Sequence, residues 1–217
     1  RVGHTGPMSE PDLELDVAWQ RHVSSDRRLL DALLARHREK QRRYHTATHV
    51  AWVIRHVEEL AATEPVDRLD EIVAAAFYHD AIYEPAHPAN ERASARLARR
   101  DLAELGWADD AIDRVAEMIE ATELGSEVAG APTGDVAILL DADLAVLGSD
   151  PAAYSSYVDG VRAEYRHVDD PDWRVGRTAV LRTFLDRPAI FATPMGRERW
   201  ETRARANLTA EMASLNG

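Results

Sequence analysis

The chain carries nine histidines and no cysteine, so any metal it holds must be bound through imidazole nitrogens and carboxylate oxygens. Disulfides and thiolate nucleophiles are excluded on the same ground. His45 and His49 stand at i and i+4, which places both on one face at a helix start. His79 and Asp80 are adjacent in a segment with helical apolar spacing. His79 joins the stripe of Ile72, Ala76 and Tyr83, and Asp80 joins that of Val73 and Phe77, so both side chains are expected to face inward. Further along, Asp143 falls on the stripe of Val136, Leu140 and Leu147. Asp141 is turned about 200° around the same helix and does not. A lone inward histidine is ordinarily a hydrogen-bonded core residue, and a lone inward aspartate a cap or an arginine partner. A buried carboxylate is costly unless a cation or several donors compensate it, and such residues recur here on three separate helices. That recurrence reads as a site for a divalent metal ion, with His45 and His49 both eligible. The pair has the spacing of a zincin protease, but Thr46 stands where the general-base glutamate of His-Glu-x-x-His must be, which excludes that class.

The elements that position these groups are helical almost throughout. Apolar periodicity predicts helices over 13–38, 46–62, 67–83, 90–105, 108–122, 135–147, 150–168, 171–187 and 195–215. The first is broken near Ser24 and Ser25, which could cap a new start, and Asp67 is the expected cap of the third. Residues 84–90, with Pro85 and Pro88, read as a loop, as do the glycine-rich residues 125–134. Gly106 and Gly148 sit where C-terminal helix glycines are expected. No run alternates long enough to argue for a sheet, and no repeat is visible. Residues 1–11 read as a leader or disordered tail, with Met8 as the native start, and 12–217 as a single helical domain.

Composition narrows the partners. Hydrophobic residues make up 45% of the chain, enough for a core, and the formal net charge is −12. Binding to a nucleic acid duplex is not expected, because phosphate neutralisation needs clustered basic residues. No apolar run approaches the roughly 20 residues that span a bilayer, and the N-terminus lacks a signal-peptide layout. With no cysteine, the chain fits a reducing cytoplasm.

Three ordered segments carry a family resemblance: Tyr44-His45-Thr46-Ala47-Thr48-His49-Val50, Phe77-Tyr78-His79-Asp80 and Leu140-Asp141-Ala142-Asp143-Leu144. They resemble the H…HD…D signature of the HD superfamily. More narrowly, the chain is similar to a bacterial group of predicted metal-dependent HD phosphohydrolases. That likeness extends through Asn90-Glu91, through Tyr154, Tyr157, Arg162, Glu164 and Tyr165, through Gly176-Arg177, and through Ala204-Arg205-Ala206-Asn207-Leu208, so it spans residues 13–208. It implies an all-α, HD-domain-like helical bundle with extra C-terminal helices. It also implies a metal held by His49, His79, Asp80 and Asp143, with His49 preferred to His45 because it precedes an aliphatic residue. Mixed His and Asp ligands suit Mn, Fe, Co, Zn or Ni.

The implied activity is hydrolysis of a small phosphate ester, such as a nucleotide, by metal-activated water. Asp80 would orient that water, and His45 and Glu91 are the candidates for proton transfer. Arg42 is the first choice for the substrate phosphate, followed by Arg162 and Arg177, with Tyr44 placed to stack on a base and Tyr165 beside Arg162. One alternative is an HD-type di-iron oxygenase, which would need further ligands from His45, His56 or His87. Another is a non-catalytic nucleotide-sensing HD module. The chain departs from the group in one place. A histidine expected shortly after Ala121-Thr122 is replaced by Glu123-Leu124-Gly125, which bears on a second metal or on the phosphate contact. Assembly into a homo-oligomer is left open by the sequence.

Overall fold

The computed structural model describes residues 10–85, 87–124 and 132–216. Among these, every regular element is helical, so the fold is all-α. The opening helix α1 (Glu10–His22) begins inside the stretch expected to be a tail, and α2 (Arg27–His37) follows the anticipated break. The cap at that break is Asp26 rather than a serine. Its carboxylate accepts from the backbone N–H of Arg28, while Ser24 Oγ accepts from the N–H of Asp26. Next comes α3 (Ala47–Ala61), whose Val50, Val53, Val57 and Leu60 are each no more than 1% exposed. That spacing forms one continuous buried stripe.

The next helix, α4 (Leu69–Tyr78), is shorter at both ends than the expected 67–83. Asp67 does not cap it. The backbone N–H groups of Asp67 and Arg68 instead donate to the Asp135 carboxylate, each at 3.0 Å. At the other end, the groups that would continue the helix are held elsewhere. Arg42 takes the carbonyls of Asp80 and Ala81 at 2.7 and 3.1 Å, and Ser94 Oγ accepts from the N–H of Ile82. The Asn90 side chain then clamps the N–H and carbonyl of Glu84. The chain therefore turns immediately after His79, and Tyr83 lies on a loop rather than on a helical stripe.

The remaining elements are α5 (Asn90–Glu104), α6 (Asp109–Glu120), α7 (Gly134–Leu144) with a 3-10 turn (Ala145–Gly148), α8 (Pro151–Glu164) and α9 (Asp170–Leu185). A short α10 (Pro194–Gly196) runs through a π-helical Arg197–Glu201 into α11 (Thr202–Asn216). Asp150 and Asp169 cap α8 and α9 through their side chains. Gly106 ends α5 with φ of 78°, as a C-terminal glycine should. Gly148 serves a different purpose. Its φ is not positive, and a Cβ there would collide with Trp200, so it permits close approach of the last helix. Most of the loop expected at 125–134 lies outside the described residues.

Helices α3, α4 and α7 pack against one another, with α1 against α3 and α4, α6 against α4 and α5, and α9 against α11. The three mutually packed helices are the ones that carry His49, His79 and Asp143. Among the described residues, no helix is long and apolar enough to cross a membrane.

Candidate metal centre

His49 projects from the first turn of α3, His79 is the residue that closes α4, Asp80 opens the following turn, and Asp143 sits in the last turn of α7. Their donor atoms converge. His49 Nε2 lies 3.2 Å from His79 Nε2, and each approaches Asp80 Oδ2, at 3.5 and 3.2 Å respectively. Asp143 Oδ1 lies 3.2 Å from His49 Nε2 and 3.6 Å from His79 Nε2. Nitrogen and oxygen donors placed tetrahedrally about 2.0–2.2 Å from a zinc-sized ion would lie about 3.3–3.6 Å apart. His49, His79 and Asp80 each offer a donor atom within 4.8 Å of the others; Asp143 approaches both histidines but lies outside that mutually close group.

The chemistry of this donor set fits a cation. A carbonyl only accepts, so the 2.9 Å contact of His79 Nδ1 with the Ala76 carbonyl puts a proton on Nδ1 and leaves Nε2 facing the cluster. Burial alone would raise the carboxyls of Asp80 and Asp143. Charge on His79, with hydrogen bonds from His49 and His79, outweighs it and holds both well below the usual carboxylate range. For His49 and His79 burial works in the lowering direction, but the two carboxylates override it and draw the imidazoles toward protonation. Two ionised carboxylates thus demand positive charge, and a divalent ion answers the same demand as the protonated rings. His49 Nδ1 is buried without a hydrogen-bond partner.

His45 stands beside the cluster, its Nε2 3.9 Å from Asp80 Oδ2. It is positioned by Glu164, which sequence reasoning quoted only as part of a motif. Glu164 Oε1 accepts the backbone N–H groups of Arg43, Tyr44 and His45 at 2.7, 2.8 and 3.0 Å. Its Oε2 meets His45 Nδ1 at 2.7 Å and the Tyr83 hydroxyl at 3.0 Å. One carboxylate at the end of α8 therefore ties the segment before α3 to the loop after α4. Burial would raise the Glu164 carboxyl, but the His45 hydrogen bond and charge and the backbone donors bring it from 4.5 down to about 2. A depressed carboxyl stabilises the fold fully above its unfolded value near 4.5 and loses that contribution as pH falls toward about 2. The contribution is on the order of 3 kcal/mol. Denaturant unfolding across this pH range should therefore show a shallower acid loss of stability in Glu164→Gln than in the wild type. Equal slopes would remove Glu164 from this role.

The expected substrate residues divide. Tyr44 and Tyr165 line the cleft that opens from the cluster, as do His45, Glu91 and Arg177. Tyr44 packs against His49 and Tyr157, each with ring centroids 4.8 Å away. Burial, with some help from Asp80, raises the Glu91 carboxyl. Arg42 is corrected. It is buried, and its guanidinium serves the carbonyls of His45, Asp80 and Ala81 and the Glu39 carboxylate, so it braces the turn that carries Asp80 instead of facing the cleft. Arg162 is corrected too. It bonds the Tyr165 and Val168 carbonyls and Asp170 and lies over Trp173, outside the cleft. Arg177 faces the cleft but is held by both Glu211 oxygens, at 2.7 and 3.0 Å.

Asp141 requires a further correction. Helical phase turned it away from Asp143, which holds, but it is only 1% exposed. It faces the C-terminal segment, where the N–H groups of Ala192 and Thr193 and the Thr193 hydroxyl donate to it. Helix α7 is thus buried on two sides, with one aspartate on each. Where the expected histidine is missing, Thr122 Oγ1 donates to the Ile119 carbonyl and Glu123 lies 3.9 Å from Arg92. Of the other candidate ligands, His56 bonds the Trp52 carbonyl and stacks on that ring, and His87 Nδ1 accepts from the N–H of Ala89. Sequence reasoning missed His37. It is buried, neither ring nitrogen has a partner, and burial together with Arg42 pushes it down to about 3. No protein-family model matches this chain, nor does any curated protein or solved structure.

Proposed function

We propose that the protein is a metal-dependent phosphohydrolase of the HD type, acting in the cytoplasm on a small phosphate ester. The observation that carries this reading is that the ring nitrogens of His49 and His79 lie 3.2–3.6 Å from each other and from the Asp80 and Asp143 carboxylates, and that His79, Asp80 and Asp143 line an open cleft. A divalent ion in such a donor set lowers the pKa of water and offsets charge on a phosphoryl oxygen. His45 Nε2, directed at the cleft while Nδ1 is held by Glu164, is placed to take the proton that the attacking water gives up. The Glu164 carboxylate fixes the tautomer and stabilises the imidazolium that results. Glu91, kept protonated longer than a free glutamate, can return a proton to the leaving oxygen.

The test is phosphate release, measured anaerobically after chelation and resupply with Mn, Fe, Co, Zn or Ni, across nucleotides and phosphorylated metabolites. Release that depends on added metal and disappears in Asp143→Ala is expected. No release with any metal would remove the hydrolase reading. One observation favours a second reading, an HD-type di-iron oxygenase: the cleft is largely apolar, and the one arginine that lines it among the described residues is already paired. Iron content with oxygen uptake would select that reading.

A further inference from the structure

The cleft of about 510 Å³ extends from His79, Asp80 and Asp143 into a lobe between α8 and α9. Tyr157 and Val161 face it from α8, and Trp173, Gly176, Val180 and Phe184 from α9. On α9 these residues recur every three or four positions, so they form one stripe of the helix. Phe184 also packs into the core and Val180 against it, while the open side of the stripe lines a cavity of ordinary ligand size.

The charge in the lobe is cancelled. Arg177 is the one arginine that lines the cleft among the described residues, and Glu211 and the Tyr157 hydroxyl occupy it. Asp172 adds a further carboxylate at the wall. A second or third phosphate would find no free cation there, whereas an apolar ring would exchange water for aliphatic and aromatic contact.

Gly176 adds an independent observation. It lies inside α9, where glycine is a poor helix former. Its φ is not positive, and a Cβ built on it meets nothing within 4 Å. Neither backbone conformation nor packing calls for glycine, yet the position opens onto the cleft. We infer that the lobe between α8 and α9 takes the flat apolar body of a phosphomonoester, and that Gly176 is bare so that this body can enter. The inference rests on the phosphohydrolase reading for the phosphoryl end of the ligand.

The experiment is calorimetric titration of the intact, Mn-supplemented protein with three phosphonates that cannot be hydrolysed: 1-naphthylmethylphosphonate, methylphosphonate and the α,β-methylene analogue of ADP. The naphthyl compound is expected to bind at least ~10-fold more tightly than either other compound, since burying a bicyclic ring removes a large apolar area from water. Gly176→Phe should weaken the naphthyl compound by at least ~10-fold while melting no lower than the wild type, because phenylalanine is the better helix former. Tighter binding of the ADP analogue, equal binding of the first two compounds, or indifference to Gly176→Phe would each overturn the inference. Ester hydrolysis that ignores the naphthyl body would leave the hydrolase reading standing and the inference fallen. Gly176-dependent naphthyl binding with no phosphate release from any ester would do the reverse.

Discussion

Asp80→Ala is expected to strip the protein of metal while its helices remain. Asp80 Oδ2 is the atom to which both ring nitrogens, those of His49 and His79, are drawn, at 3.5 and 3.2 Å. Its removal leaves two imidazoles and one carboxylate, with half the negative charge that attracted the cation. Groups that only orient metal ligands typically cost 10–100-fold in affinity or activity, so loss of a ligand should exceed about 100-fold in both. The fold should survive, because the part of Asp80 that braces the loop is its carbonyl, held by Arg42 at 2.7 Å, and alanine keeps it. Three measurements check this: metal content after dialysis, helical circular dichroism, and the rise in melting temperature on adding Mn. In the wild type, an ion at about 100 times its Kd stabilises the native state by roughly 2.7 kcal/mol. In Asp80→Ala that increment should vanish. His79→Ala should behave alike. Full occupancy in both variants, with the metal-dependent increment intact, would remove this cluster as the binding site.

How much of this site was legible from the sequence depends on the range of the interaction involved. Helical phase is local, and it correctly separated Asp143 from Asp141, because residues two apart on a helix diverge by about 200°. Phase says nothing about what lies on the far side, so the burial of Asp141 against residues 192 and 193 was invisible. The inward direction of His79 was also readable, yet the helix that argued for it stops at Tyr78, and Tyr83 reaches the site from a loop. That stop is imposed by Arg42, Ser94 and Asn90, partners from other segments that no local pattern reveals. Arginines were the hardest to read. Nearly every basic residue is arginine, and sequence cannot distinguish a guanidinium aimed at carbonyls, as in Arg42, from one left for a ligand. The all-α architecture, in contrast, rests on many repeated local signals and was legible throughout.

The largest effect on stability is expected from Glu164→Ala. The substitution leaves the N–H groups of Arg43, Tyr44 and His45 without their acceptor and frees both His45 and Tyr83. Glu164 is only 3% exposed, so water reaches these groups poorly. Each buried donor left unpaired costs about 1–3 kcal/mol, and breaking a buried charged pair typically costs about 3–5 kcal/mol. A loss of about 3–5 kcal/mol in denaturant unfolding is therefore expected, with relaxation of the loop keeping it below the sum of its parts. Activity should also fall, by about 10–100-fold, because His45 loses the group that sets its tautomer and direction. Metal content should hold, since none of the four converging donors bonds to Glu164. This combination would separate Glu164 from the four converging residues: Asp80→Ala is expected to lose metal but keep its fold, whereas Glu164→Ala is expected to keep metal but lose stability. Glu164→Gln should recover much of the stability, since its carbonyl still accepts from the backbone. It should recover less of the activity, because a neutral amide cannot balance a protonated His45. If Glu164→Ala unfolded like the wild type, the segment before α3 would have to be held by something other than this carboxylate.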